Sequence, residues 1–207
     1  MVSIYLLKGR FQDLLRPAVR GLHRAGVSAN AVTLAAAAGS LLVAAALGWW
    51  APTRPLLYLA LPAWMLLRMA LNAIDGMLAR EFGQQSRLGA YLNELCDVVA
   101  DAALYLSLLG VPGVRAEALW LLAWTAALSE YAGVLGLMVG ASRRYDGPMG
   151  KSDRAFVVGA LGLLLAFGWI GAAGVAGVAA AMSLLCVVTL CRRVWEGLRQ
   201  PPAAPQG

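Results

Sequence analysis

The sequence predicts an all-α integral membrane protein: six transmembrane helices preceded by an N-terminal amphipathic interfacial helix. Three observations predict it. Of 207 residues, 60% are hydrophobic and only 14% are charged, whereas soluble domains carry about 25% charged residues. The apolar runs Ala31–Trp50 and Pro55–Ala73 each match the roughly 20 residues that span a bilayer. The basic residues cluster in the N-terminal segment, two loops and the C-terminal tail. This composition excludes a soluble enzyme and a disordered chain. The net charge of +6 forms no stripe of the kind that tracks a phosphate backbone, so no nucleic-acid partner is expected.

The elements follow in order. Over residues 4–24, Ile4, Leu7, Phe11, Leu14, Leu15 and Leu22 recur at helical spacing, opposite Lys8, Arg10, Asp13, Arg16, Arg20 and Arg24. Such a helix lies in the interface of an anionic leaflet, and Pro17 is placed to kink it. Gly26 and Ser28 mark a turn, with Ser28 or Asn30 as helix N-cap. Six spans are expected near 30–50, 55–79, 88–110, 115–140, 153–171 and 173–192. The last two are rich in glycine (Gly159, Gly162, Gly168, Gly171, Gly174, Gly177), which permits close helix packing and a possible homodimer. The chain divides into an interfacial helix and turn (1–27), a transmembrane domain (28–193) and a cytoplasmic tail (194–207), with Pro201–Gly207 expected to lack fixed structure.

Counting basic residues orients the bundle. With the N-terminus inside, Lys8, Arg10, Arg16, Arg20, Arg24, Arg80, Arg87, Arg143, Arg144, Lys151, Arg154, Arg192, Arg193 and Arg199 are cytoplasmic, only Arg54 and Arg115 face out, and Arg68 lies within the second span. This asymmetry puts both termini in the cytoplasm and favours an even number of spans. No cleavable signal peptide is expected, since the first apolar run starts near Ala29 and is too long for a signal core. Cys96, Cys186 and Cys191 sit in or at the ends of apolar runs and read as small apolar fillers. Trp49, Trp50 and Trp64 suit an interfacial or lipid-facing role, and His23 a surface position.

Charged groups cost about 2.5–3.5 kcal/mol each at the centre of a bilayer helix. The chain nevertheless places Asp75, Glu94, Asp97, Asp101 and Glu130 in or at the ends of its apolar segments, with Asn72 and Asn93 beside them. Asn72 and Asp75 share a helix face, as do Glu94, Asp97 and Asp101. A short loop joins the second and third spans, so these faces are expected to meet between antiparallel neighbours. Crowded carboxylates repel, and a divalent cation with hard oxygen ligands removes that repulsion. With one His and no suitable Cys spacing, zinc is excluded. Two other readings stay open: ion pairing of these acids with Arg68, Arg80 and Arg87, and the proton relay of a transporter, although no inverted repeat is apparent.

At these residues the sequence resembles the CDP-alcohol phosphatidyltransferase family (class I), whose signature runs D-x2-D-G-x2-A-R-x8-G-x3-D-x3-D. Here Asn72, Asp75, Gly76, Ala79, Arg80, Gly89, Asn93 and Asp97 fall at the same spacings. Asn stands at the first and third Asp positions. The resemblance implies transfer of a phosphatidyl group from CDP-diacylglycerol to an alcohol or phospho-alcohol, with release of CMP, in phospholipid biosynthesis at the cytoplasmic face of an inner membrane. It implies Mg2+ or Mn2+, two ions, held by Asn72, Asp75, Asn93 and Asp97. It also implies a CDP site at Asp75, Gly76, Ala79, Arg80 and Gly89, and Asp97 as general base. Glu94 and Asp101 are expected to make up for the missing Asp carboxylates, shifting the metal site along the third span. Gly150-Lys151 followed by Arg154 resembles the family segment that holds an acceptor phosphate, so Arg143, Lys151 and Arg154 are expected to form an anion pocket. That pocket favours glycerol 3-phosphate, with Glu130 orienting a basic group or the acceptor. The alternatives are a catalytically silent member that binds CDP-lipid or a partner, and a small transporter.

Overall fold

The computed structural model describes residues 4–200, with side chains described from Phe11 onward. The side chains of Ile4, Leu7, Lys8 and Arg10, and the tail from Pro201, lie outside the described residues. Seven α-helices make up the described fold: α1 (Ile4–Arg24), α2 (Ala29–Trp50), α3 (Ala60–Glu81), α4 (Arg87–Leu106), α5 (Ala116–Leu135), α6 (Lys151–Ala166) and α7 (Ala172–Arg199). Local chemistry sets their ends. The Ser28 side chain accepts from the Ala31 N–H and caps α2, after a turn in which Gly26 takes φ 76°. Ser86 does the same for α4 through Gly89. The Asp153 carboxylate accepts from the Gly150 N–H at 2.9 Å and secures the start of α6. α7 continues to Arg199, so the boundary expected at 193 falls inside a helix.

Four segments are long and apolar enough to cross a membrane: Ala29–Trp50, Pro55–Glu81, Ala116–Val139 and Ala172–Arg199. Among the described residues the third and fifth expected spans do not meet that standard. α4 carries Arg87, Glu94, Asp97 and Asp101. α6 has only 16 residues and opens on Lys151, Asp153 and Arg154, which gives it about 24 Å of helix. α4 lies against α2 and α5, and α6 against α3, while Leu88, Tyr91, Leu95 and Val99 of α4 and Phe156 of α6 stay exposed on the outer face. The protein is an all-α integral membrane protein whose charged side chains on α4 and α6 turn toward other helices while apolar side chains of both stay exposed.

The polar faces of the second and third expected spans meet through side chains, Arg68 and Asn72 of α3 reaching Asp101 and Asp97 of α4. α3 and α4 each pack extensively on α2 but make almost no direct backbone contact with one another. The gap between them, backed by α2, creates the cleft described below. The apolar core fills the rest of the bundle, around Leu47, Leu61, Leu104, Leu108, Leu122 and Met182.

The helix α1 docks on α3. Val19, 1% exposed, packs with Ile74, Met77 and Leu78, and Arg16 reaches Glu81 at 2.9 Å. Leu14 remains 75% exposed, so the apolar stripe of α1 is divided between α3 and the surroundings. The glycines of α6 face α3: a Cβ on Gly162 would lie 2.7 Å from both Leu61 Cβ and the Tyr58 carbonyl. Around Gly177 there is open space. Trp64 is not a lipid-facing anchor, because its indole N–H donates to Ser40 Oγ at 2.9 Å between α2 and α3; Trp49 and Trp50 are exposed. His23 stacks on Phe82 with ring centroids 4.2 Å apart. Cys186 is buried, Cys191 exposed and Cys96 in between, all as free thiols.

Candidate active site

Three polar segments meet where α2 and α4 begin and α3 ends. They enclose a cleft of about 420 Å³ lined by Asn30 and Thr33 of α2, Asn72, Asp75, Gly76, Ala79 and Arg80 of α3, Gln84–Ser86 of the connecting loop, and Gly89 and Asn93 of α4. The loop is tied down: Gln84 Oε1 accepts from the Ala29 N–H at 2.7 Å, joining it to the first turn of α2. Asp75 is 5% exposed, and its carboxylate accepts from Thr33 Oγ1 at 2.8 Å. Two helix N-termini therefore open on one cleft. Their positive dipole ends, with the first-turn N–H groups that Gln84, Ser28 and Ser86 do not already hold, favour an anion such as phosphate, and the exposed Arg80 adds a guanidinium suited to phosphate oxygens.

The glycines have defined roles here. A Cβ on Gly76 would lie 3.0 Å from Arg80 Nη2 and 3.2 Å from Nη1, so Arg80 lies across the glycine. On Gly89 it would come within 2.8 Å of Asn30 Oδ1. The Gly76→Ala variant is expected to displace the Arg80 side chain without unfolding the helix, since that side chain is flexible and alanine favours helix. The expected result is a KM for the nucleotide-lipid raised about tenfold with little change in melting temperature, checked by steady-state kinetics and thermal unfolding in detergent.

The expected site residues divide into two groups. Asn72, Asp75, Gly76, Ala79, Arg80, Gly89 and Asn93 all line the cleft. Asp97 lies beside it, held by Asn72, whose Nδ2 donates to Asp97 Oδ1 at 3.3 Å. Glu94 and Asp101 are not part of it, which corrects the expectation that they restore the missing ligands. Glu94 is gripped by Arg143, through Nε at 2.5 Å and Nη2 at 2.7 Å. Asp101 is bound by Arg68, by Arg154 Nη2 at 3.3 Å and by the Tyr105 hydroxyl at 3.1 Å. The physical reason is topological: the segment around 143, the start of α6 and the end of α7 bring cations onto the acidic face of α4 and α5. Asn30, Thr33, Gln84, Gln85 and Ser86 are cleft residues that sequence reasoning missed. Asn30 and Thr33 were legible as polar residues three apart at the start of an apolar span; the loop residues carried no signal.

The acceptor pocket expected from Arg143, Lys151 and Arg154 is likewise corrected. Arg154 is 0% exposed. It donates to Glu130 at 2.8 Å, to the Met149 carbonyl at 3.1 Å and to Tyr105 Oη at 3.1 Å. Arg143 also reaches Glu130, at 3.1 Å. Burial works against the Arg143 charge, but the hydrogen bonds and charge of Glu94 outweigh it and hold the guanidinium above its usual range. Arg193 bonds the Ser129 carbonyl at 2.5 Å and pairs with Glu130 at 3.2 Å. Lys151 pairs with Asp97, which Arg68 also bonds at 3.1 Å. The acids do form ion pairs, but of the arginines considered from sequence only Arg68 takes part. The carboxylates Glu94, Asp97, Asp101 and Glu130 are matched by Arg68, Arg143, Lys151, Arg154 and Arg193. They need no further cation for neutrality.

Among the described residues no group of three or more His, Cys, Asp or Glu side chains converges to hold a metal ion. The cleft offers one carboxylate, Asp75, with the amide oxygens of Asn72 and Asn93. These hard oxygen donors fit one divalent cation. They do not fit a pair, because Asp97, the next carboxylate, is already occupied on both oxygens.

An end-on cleft in a helical membrane bundle, with two helix N-termini and an arginine aimed at one anion site, defines a membrane protein that handles a phosphorylated ligand. The chain belongs to the CDP-alcohol phosphatidyltransferase family, whose sequence model matches residues 26–191, and it is a phosphatidyltransferase of that kind. It is similar to the inner membrane protein YnbA of Escherichia coli (strain K12), with 47% identity over 165 residues, 80% of this chain and 81% of that protein. It is also similar to the phosphatidylinositol phosphate synthase of Mycobacterium tuberculosis, with 33% identity over 105 residues, 51% of this chain. That alignment spans only 46% of the synthase. The fold matches solved structures of the M. tuberculosis synthase at 23% identity. The form with CDP-DAG bound superposes with TM-score 0.74 over 92% of this chain and 96% of that one. The complex with manganese and citrate gives 0.73 over 92% of each.

Proposed function

We propose that the chain moves the phosphatidyl group of CDP-diacylglycerol to an alcohol and releases CMP, with the cleft at the cytoplasmic face of an inner membrane. In this reading six helices cross the bilayer, α4 and α6 presenting their exposed apolar faces to lipid, and α1 lies at the interface. The observation that carries the proposal is that the signature residues Asn72, Asp75, Gly76, Ala79, Arg80, Gly89 and Asn93 line one cleft at two helix N-termini. The diphosphate sits at those N-termini and on Arg80. The acceptor oxygen attacks the phosphorus next to the diacylglycerol, and the bond to the CMP oxygen breaks. An ionised carboxylate offers about four lone-pair sites. Arg68 and Asn72 use both on Asp97 Oδ1 and Lys151 one on Oδ2, so one remains to take the hydroxyl proton. Asp75, Asn72 and Asn93 hold a divalent cation, Mg2+ or Mn2+, which neutralises phosphate charge and stabilises the leaving oxygen. The manganese complex of the structurally similar synthase supports such an ion.

Glycerol 3-phosphate is not carried forward as the acceptor, since the cations expected to bind its phosphate are already paired with carboxylates. The acceptor is proposed as an alcohol. Purified protein with CDP-diacylglycerol and magnesium is expected to release CMP when the right alcohol is present. A panel of glycerol, inositol and their phosphates identifies it. Protection of the nucleotide without turnover would point to a silent binder. Release of no CMP and no nucleotide binding would leave a transporter.

A further inference from the structure

Two groups other than a divalent ion already hold the Asp97 carboxylate, a side-chain amide and an ammonium. Asn72 presents its amide N–H, a donor, to Asp97 Oδ1 at 3.3 Å, where an Asp would present a second negative charge. Asn93 adds an uncharged amide to the cleft. Lys151, the first residue of α6, places its ammonium on Asp97 Oδ2. The start of α6 is held by the Asp153 bond to the Gly150 N–H, so Lys151 is anchored at its backbone. Its side chain remains 34% exposed, within reach of a ligand beside Asp97. An amide donor at 72 and an ammonium at 151 are what a carboxylate requires when its counter-charge is built into the protein.

We propose that the Lys151 ammonium occupies, at Asp97, the place of a second divalent cation, so that this chain takes one divalent ion with each donor molecule. The inference rests on the phosphatidyltransferase reading and refines it. The charges support it. Asp75, Asp97, Asp101 and the two phosphates of a CDP-linked lipid carry five negative charges. Arg68, which pairs with both Asp97 and Asp101, Lys151, Arg80 and one divalent ion carry five positive charges, with Arg154 set against Glu130. A second divalent ion would leave an excess of two positive charges in a low-dielectric site, where unscreened like charges repel strongly. It would also find Asp97, the carboxylate next to Asp75, with three of its about four lone-pair sites already taken.

The test is the stoichiometry of Mn2+ bound to the full-length protein in detergent with saturating CDP, read by the electron paramagnetic resonance signal of free Mn2+. One ion per chain is expected. Two ions, or none, would overturn the proposal. In an Asn72→Asp/Asn93→Asp background, adding Lys151→Gln is expected to tighten binding of a second ion by at least about tenfold, since removing a like charge a few ångströms away is worth that much even at an effective dielectric constant near 20. An unchanged second-site affinity on adding Lys151→Gln also overturns it. The wild-type count stands even where these variants fail to fold. No step depends on turnover: two ions with normal CMP release would refute this inference alone, whereas one ion with no CMP release from any acceptor would refute the transferase reading alone.

Discussion

Asp75→Asn is expected to lower CMP release roughly 10²- to 10³-fold while leaving the fold intact, the scale seen when one preorganised electrostatic contact to a reacting centre is removed. Asp75 is the one carboxylate lining the cleft, so the substitution removes its only formal negative charge. The shape of the site survives, because an Asn oxygen still accepts from Thr33 Oγ1, which lies 2.8 Å from the carboxylate. The helix N-termini of α2 and α4 and the Arg80 guanidinium are also unchanged, so CDP binding is expected to persist in the absence of metal. The check is a pair of measurements on the same preparation: CMP release with CDP-diacylglycerol and magnesium, and thermal unfolding in detergent. Full activity in Asp75→Asn would mean that the chemistry takes place outside this cleft.

How far the sequence alone leads depends on the range over which each feature is determined. α1 spans the residues its apolar periodicity marks, and Ser28 caps α2, because helix periodicity and capping are settled within a turn or two of chain. The cleft residues on α3 and α4 were legible for a similar reason. Asn72, Asp75 and Gly76 follow one another on a helix face, and a loop of a few residues carries the chain to Gly89 and Asn93.

Partners at long range were not legible. Nothing in the spacing of Glu94, Asp97 and Asp101 indicates that Arg143, Lys151 and Arg154, some 50 positions on, fold back onto them. The sequence pattern therefore reads as a set of uncompensated acids awaiting a metal, when the cations were elsewhere in the same chain. The same blindness turned basic residues into a vacant anion pocket. The charges on the third expected span illustrate the same point: Glu94, Asp97 and Asp101 of α4 are met by Arg68, Arg143, Lys151 and Arg154 from distant parts of the chain. A helix that is amphipathic inside a bundle looks, in one dimension, like a helix at a surface.

Arg154 decides between the two accounts of that basic cluster. As a loose ligand for an acceptor phosphate, its loss would raise an acceptor KM and leave stability alone. As the centre of a buried network, its loss removes a charged partner from Asp101 and from Glu130, whose carboxylates it holds at 3.3 Å and 2.8 Å, and leaves them to Arg68, Arg143 and Arg193. Removing one partner of a buried ion pair costs about 3–5 kcal/mol when the remaining charge is left alone; here other arginines remain, so the lower end of that range applies. Arg154→Met is therefore expected to lower the melting temperature in detergent by roughly 10 °C, given the few degrees per kcal/mol typical of a chain this size. The companion variant separates lost charge balance from lost packing. Arg154→Met combined with Glu130→Gln removes both members of the closest pair, and it is expected to recover about 1 kcal/mol or more relative to Arg154→Met alone. Arg193 and Arg143, which also bond Glu130, lose a partner in the double variant and limit the recovery. A melting temperature unmoved by Arg154→Met, together with a raised acceptor KM, would return the residue to the substrate and reopen the phosphorylated acceptors.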